Sequence, residues 1–269
     1  MNASYKQAIT GFRTYLNNYC RGGKYCTAAQ FYIADSYYRL EDYEHALSAY
    51  QELMKIQGNQ YMEEALTRSA EITYDQKKYD IALGYFEKLI QIAQTGERKN
   101  TARLGVLRSS YQLKDYQKTI HIVGEILADS KSGAEVLNEA RYHRAKAYIA
   151  TNQSDQALED LKLLATDTRT AVGAESKYLI AQVYFQAGNL ADAEKEILDF
   201  AQKNTPFQYW LARSFILLAD IYISQQQDFQ AKQYLLSLQR NYKTNDDIQE
   251  MITTRLNAIS KREKSKVIN

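Results

Sequence analysis

The stretch Ala34-Asp35-Ser36-Tyr37-Tyr38-Arg39-Leu40-Glu41-Asp42-Tyr43-Glu44-His45-Ala46-Leu47-Ser48-Ala49-Tyr50 decides how the chain reads. Its frame is a small residue, Tyr, a short polar turn, a second Tyr, then Ala and an aromatic. The frame returns as Ala70, Tyr74, Tyr79, Ala82 and Phe86. It returns again as Ala145-Tyr148-Ala157-Leu161, Ala181-Tyr184-Ala193-Ile197 and Ala219-Tyr222-Ala231-Leu235. A weaker copy holds Tyr111, Tyr116, Thr119 and Val123, and a half copy holds Tyr5, Ala8, Phe12 and Leu16. With the second small residue as register mark, Ala8, Ala46, Ala82, Thr119, Ala157, Ala193 and Ala231 lie 38, 36, 37, 38, 36 and 38 residues apart. A period this regular describes units that cannot bury their apolar face alone and must stack on their neighbours.

Each unit reads as two helices. Tyr178, Ala181, Tyr184 and Phe185 share one helical face, and Leu190, Ala193, Ile197 and Phe200 share another. Ala187-Gly188-Asn189 between them suits a helix C-terminus. Leu40-Glu41-Asp42, Gln76-Lys77-Lys78, Leu113-Lys114-Asp115 and Thr151-Asn152-Gln153 are the equivalent turns, and connections this short make antiparallel neighbours. The paired small residues, Ala34 with Ala46 and Ala181 with Ala193, are expected where the helices cross. A Leu there overpacks the crossing by about 1–3 kcal/mol. The tyrosines fill the next layer, with a ring for burial and a hydroxyl to reach backbone or water.

Composition agrees. Of 269 residues, 45% are hydrophobic and 25% charged, as in folded chains. One Pro, 11 Gly and six Val leave too few turn and strand formers for a sandwich or barrel. Tyr stands out, with 23 copies against 8 Phe and 1 Trp. A net charge of +2 is too balanced for a nucleic-acid protein. No apolar run is long enough for a membrane-spanning helix. The polar start Met1-Asn2-Ala3-Ser4-Tyr5-Lys6-Gln7 gives no secretory signal. Cys20 and Cys26 read as unpaired structural thiols, although a local disulfide around Arg21-Gly22-Gly23 is sterically possible. They do not fix the compartment.

The recurring frame resembles the tetratricopeptide repeat, a helix–turn–helix unit with a period of about 34 residues. The chain departs from the family pattern in three ways. Gln30, Leu66, Arg103, Arg141, Lys177 and Phe215 replace its early Trp, the closing Pro survives only at Pro206, and each period is longer by two to four residues. The resemblance implies an all-α, right-handed α-α superhelix (a TPR solenoid) of about six and a half helix pairs plus a C-terminal capping helix. Its expected parts are a half repeat at 4–20, full repeats at 26–57, 60–94, 98–129, 134–166, 171–203 and 207–242, and a capping helix at 245–264. Asp246 and Gln249 resemble a capping box at that last helix. The half repeat suggests the C-terminal piece of a longer array, with possible self-association through residues such as Phe12 and Leu16. Tyr-rich copies with an insertion at Asn17-Asn18-Tyr19-Cys20-Arg21-Gly22-Gly23 look similar to bacterial cell-envelope members of the family, including partners of the Tol–Pal system. That implies a periplasmic or envelope-associated setting, with a cytoplasmic one as the alternative.

A search for chemistry finds little. His45, His121 and His143 lack the helical metal spacing, and no phosphate loop or nucleophile elbow occurs. Carboxylates such as Glu63-Glu64 and Glu159-Asp160 follow helix surfaces. We expect no catalytic residue, no metal and no cofactor, and no nucleic-acid partner. In the resembled family the first helices line a concave groove. Carried over copy by copy, the groove positions include Phe31, Asp35, Tyr38 and Arg39, then Glu64, Glu71, Tyr74 and Asp75. Arg108 and Tyr111 follow, then Tyr142 and Lys146, then Tyr178, Gln182 and Phe185. The rings form a stripe, rimmed by charges that are acidic early (Asp35, Glu64, Glu71, Asp75) and basic in the middle (Arg108, Lys146). The expectation is a non-catalytic scaffold binding a peptide or protein partner in this groove. A purely architectural or self-assembling segment is the alternative.

Overall fold

The computed structural model describes residues 2–20 and 24–268. Among them are fourteen α-helices and no strand. The connector Arg21-Gly22-Gly23 lies outside the described residues. The chain forms two compact units, Met1–His143 and Arg144–Asn269.

The first unit holds α1 (Asn2–Tyr19), α2 (Cys26–Arg39), α3 (Tyr43–Met54), α4 (Met62–Asp75), α5 (Tyr79–Ile92), α6 (Gly96–Gln112) and α7 (Tyr116–Ala128). The next helix, α8 (Ala134–Ala150), spans the division. The second unit continues with α9 (Ser154–Leu164), α10 (Ala171–Gln186), α11 (Leu190–Ala201), α12 (Gln208–Ser224), α13 (Asp228–Asn241) and α14 (Ile248–Ile268).

The hairpins are built alike. In Ala34/Ala46, Ala70/Ala82, Ala145/Ala157, Ala181/Ala193 and Ala219/Ala231, both alanines are fully buried and share one core cluster. These are the crossings that small side chains permit. The third hairpin differs. Leu107 takes the first small position opposite Thr119, whose hydroxyl lies 3.0 Å from that of Ser110 inside the core.

Each hairpin turn closes with one residue in the left-handed region: Glu41, Lys77, Lys114, Asn152, Gly188 or Gln226. The N–H of the following residue donates to the carbonyl five residues back, as in Asp42 to Tyr37, Lys78 to Thr73 and Gln227 to Tyr222. The left-handed residue itself donates to the carbonyl three back, as in Glu41 to Tyr38. This pair of bonds is the Schellman motif, which satisfies carbonyls a helix end leaves open. Only Gly188 adopts the conformation without steric cost. Asp42 and Asp115 then cap the outgoing helices by accepting from the N–H groups of His45 and Lys118.

Three expectations change. Cys20 and Cys26 are not free thiols but form a disulfide joining α1 to α2. Gln249 does not complete a capping box: its amide donates to the Tyr242 carbonyl at 2.6 Å, while Asp246 accepts from the Ile248 N–H. Finally, three tyrosine hydroxyls reach charged side chains, a partner that the expectation of backbone or water did not include. Tyr38 donates to Glu71, Tyr222 donates to Glu194, and Tyr178 accepts from Arg213.

Candidate partner-binding face

Adjacent first helices are tied by polar rungs at the repeat spacing. In the first unit, Arg68 of α4 lies 4.7 Å from the Tyr38 ring centroid of α2 and bonds Glu71 at 3.0 Å. Arg98 of α6 reaches back to Glu63 and Glu64 of α4. Arg108 of α6 grips Glu139 of α8 through two bonds of 2.6 and 2.8 Å. In the second unit, Lys146 of α8 pairs with Glu175 of α10 at 3.3 Å, and Arg213 of α12 bonds the Tyr178 hydroxyl of α10 at 3.0 Å. Arg255 of α14 holds Asp220 of α12 through two bonds of 2.6 and 2.7 Å.

These rungs change how the expected charges read. Asp35 is paired with Arg39 at 2.7 Å, Glu71 with Arg68, Arg108 with Glu139, and Lys146 with Glu175. The Arg108 hydrogen bonds hold the Glu139 carboxyl below the usual glutamate range. The rim is therefore locally neutralised instead of acidic then basic. Asp75 alone of these expected charges is exposed without an ion-pair partner among the described residues. Sequence reading missed Arg68 and Arg98. Spacing offered a signal for Arg68, which stands four residues after Glu64 and three before Glu71.

The rings are held just as firmly. Phe31 stacks on Tyr61 at 4.3 Å. Tyr38–Tyr43, Tyr74–Tyr79 and Tyr111–Tyr116 make the same edge-on contact across successive turns, at interplanar angles of 63°, 64° and 62°. Burial raises the Tyr74 hydroxyl above the usual tyrosine value. His143, which sequence reading did not place on this face, makes edge contacts with both Tyr111 and Tyr142. Tyr38, Tyr74, Tyr111 and Tyr142 remain half-buried, so part of each ring faces outward. Tyr178 does not: it is 6% exposed, stacked against Trp210 and bonded by Gln182 and Arg213. Phe185 packs against the core of the second unit.

At three of the six positions that hold the family's Trp, a polar bridge takes its place. Gln30 donates to the Ala49 carbonyl, Arg103 reaches Glu125 and Asp129, and Lys177 reaches Glu196 and Asp199. In each case the first helix is tied to its own second helix by a polar arm. Among the described residues, no group of three or more His, Cys, Asp or Glu is placed to hold a metal ion. No described helix is long and apolar enough to cross a membrane.

Tetratricopeptide-repeat profiles match residues 28–57 and 142–209. The chain carries tetratricopeptide repeats. No curated protein matches the sequence. Among solved structures, the C-terminal part of a TPR repeat-containing protein from Cytophaga hutchinsonii aligns over 93% of this chain and 95% of that one, with TM-score 0.64 and 12% identity. PilW, a type IV pilus biogenesis factor, aligns over 86% of this chain and 100% of its own, with TM-score 0.51 and 19% identity. Naa15/Naa10 bound to HypK-THB aligns over 94% of this chain and 37% of that one, with TM-score 0.58 and 12% identity. At these identities the likeness establishes the TPR fold.

Proposed function

We propose that this TPR chain is a non-catalytic scaffold that binds a peptide or protein partner along its first-helix face. One observation carries the reading. Tyr38, Tyr74 and Tyr111 stand half-exposed at one register of the first unit, Tyr142 stands half-exposed one position before His143, whose ring meets Tyr111, and most of the charges around them are already paired. Rings fixed by edge contacts lose little freedom when they engage a partner, which favours binding. Aromatic anchors framed by polar groups are also the side chains that dominate protein recognition. The TPR fold of Naa15/Naa10, seen with HypK, is consistent with such a role.

An envelope or periplasmic setting belongs to the same proposal. The Cys20–Cys26 disulfide supports it, because such bonds persist in oxidising compartments. The fold shared with PilW agrees.

The test is the double variant Tyr111→Ala/Tyr142→Ala. It is expected to lose capture of the partner while keeping the helical circular dichroism of the parent. Unchanged capture rules out this face. For the compartment, acid-quenched thiol alkylation of cells is expected to leave Cys20 and Cys26 unmodified until reductant is added.

A further inference from the structure

The first two hairpins carry charge that the rungs do not absorb. Glu41, in the turn after α2, and Asp75, the last residue of α4, are exposed carboxylates, and neither has an ion-pair partner among the described residues. The cations nearest in sequence do not pair with them. Arg39 holds Asp35, Lys78 donates to the Gln76 side chain at 2.8 Å, and Lys77 makes no ion pair among the described residues. Both carboxylates act on aromatic surface. Partial burial, then the Glu41 carboxylate, the Tyr38 hydroxyl and the Asp75 carboxylate, raise the Tyr43 hydroxyl above the usual tyrosine value. Charge from two hairpins thus reaches one ring. Burial raises the Tyr74 hydroxyl as well, and Asp75 adds to it; Arg108, the cation that opposes this, is already held by Glu139.

Tyr43 is 40% exposed and Tyr74 half-buried. Tyr38 supports the first ring edge-on at 5.9 Å, and Tyr79 supports the second at 5.2 Å. The corner is therefore two fixed, partly open rings beside two unpaired carboxylates. Elsewhere the chain fills such a corner with its own arginine. Arg68 lies 4.7 Å from the Tyr38 ring centroid and bonds Glu71. Arg213 lies 5.2 Å from the Tyr178 ring and 5.9 Å from the Tyr209 ring, and reaches Asp247 at 3.4 Å. In both, a guanidinium lies against tyrosine and pairs with a carboxylate at once, as its flat charged face allows. Among the described residues no Lys or Arg lies over Tyr43, Tyr74 or Tyr79.

We infer that the bound partner is a basic segment that presents an arginine to this corner, its guanidinium against the Tyr43 and Tyr74 rings and paired with Glu41 and Asp75. The inference rests on the first-helix face being the binding surface, and it names the chemistry of what binds there. Charge complementarity makes the choice. An acidic segment would meet Glu41 and Asp75 with like charge. A wholly apolar segment would cover their charge without pairing it.

A phage-displayed library of random dodecapeptides, panned on the full chain, provides the probes. The parent is expected to enrich peptides with arginine at one aligned position. The double variant Glu41→Gln/Asp75→Gln should still select peptides, but without that arginine. Glutamine already stands at the equivalent places of other repeats, as Gln226 and Gln112, so the variant is expected to keep the parent's circular dichroism. A selected peptide, labelled with fluorescein, should bind the double variant about tenfold more weakly than the parent, and either single variant about threefold. Changing its arginine to methionine should weaken binding to the parent about tenfold and to the double variant little, because the two changes remove one interaction. Selected peptides that are lost with Tyr111→Ala/Tyr142→Ala, yet lack arginine or carry a carboxylate in its place, overturn the inference and leave the binding face standing. So does an arginine whose loss weakens binding to parent and double variant equally. Peptides indifferent to both double variants, or no selection at all, overturn the face and the inference with it.

Discussion

Single side chains in this protein differ sharply in what they contribute. Tyr50 is fully buried in α3, and its hydroxyl has no hydrogen-bond partner among the described residues. Burial accordingly raises that hydroxyl well above the usual tyrosine value. An unsatisfied buried polar atom costs about 1–3 kcal/mol. Tyr50→Phe is therefore expected to stabilise the chain by about 1 kcal/mol in urea unfolding at unchanged slope; a loss of stability would mean the hydroxyl is bonded. Lys177 is the opposite case. It is 8% exposed, and burial pulls its ammonium down, but bonds to Asp199 and Glu196 outweigh burial and leave it above the usual lysine value. The Lys177 hydrogen bond holds Asp199 below the usual aspartate range. Lys177→Met should cost about 1–2 kcal/mol at pH 7, less than a fully buried pair because Asp199 is partly exposed. The signs differ at the two ends of the pH scale. The depressed carboxyl contributes above the unfolded aspartate value and loses its share as pH falls through the folded one. The raised ammonium contributes below the unfolded lysine value and loses its share as pH rises through the folded one. The gap between parent and variant should narrow below about pH 4 and above about pH 11; a constant gap would show that the ion pair is not its source.

At the level of helices and turns, much of the architecture was legible and the reasons are local. The Ala34/Ala46 frame marks a crossing, and a crossing with a short turn can only be a helical hairpin, so six hairpins follow from residues close in sequence. The backbone of the turns was less legible, since Glu41, Lys77, Lys114 and Gln226 carry no glycine signal at a left-handed position. A non-glycine there costs about 1–2 kcal/mol, partly offset by the smaller entropy loss on folding. Lys77→Gly and Gln226→Gly are each expected to raise stability by about 0.5–1 kcal/mol, and Gly188→Ala to lower it by a similar amount, as read by thermal unfolding. If Lys77→Gly destabilises, the closing bond of that turn does not form as described. The disulfide was missed because a spacing of six permits a bond without requiring one. It closes a short loop, so reduction should cost about 2 kcal/mol. The loss belongs to α1 and α2, seen as faster hydrogen exchange in residues 4–20 before the rest of the first unit.

For the molecule as a whole, the rings of the proposed face were legible and the state of its charges was not. Tyr38, Tyr74 and Tyr111 recur with the period, so their common register follows from counting. Whether Arg108 meets solvent or Glu139 depends on which helix lies beside α6, and that information sits 31 residues away. Tyr178 was misplaced for the same reason, since Trp210 and Arg213 cover it from the next repeat. In the proposed reading, the chain neutralises its charges between repeats and its aromatic surface is what recognises the partner. Site-specific photo-crosslinking in the producing cell tests that claim most directly. A benzophenone side chain is placed at Asp75 or Gln112, exposed positions on first helices, and at Ile81 or His121, exposed positions on second helices. The account predicts one adduct band at Asp75 and Gln112 that Tyr111→Ala/Tyr142→Ala removes, and none at Ile81 or His121. The same band at Ile81 and His121, unaffected by the double variant, would contradict it.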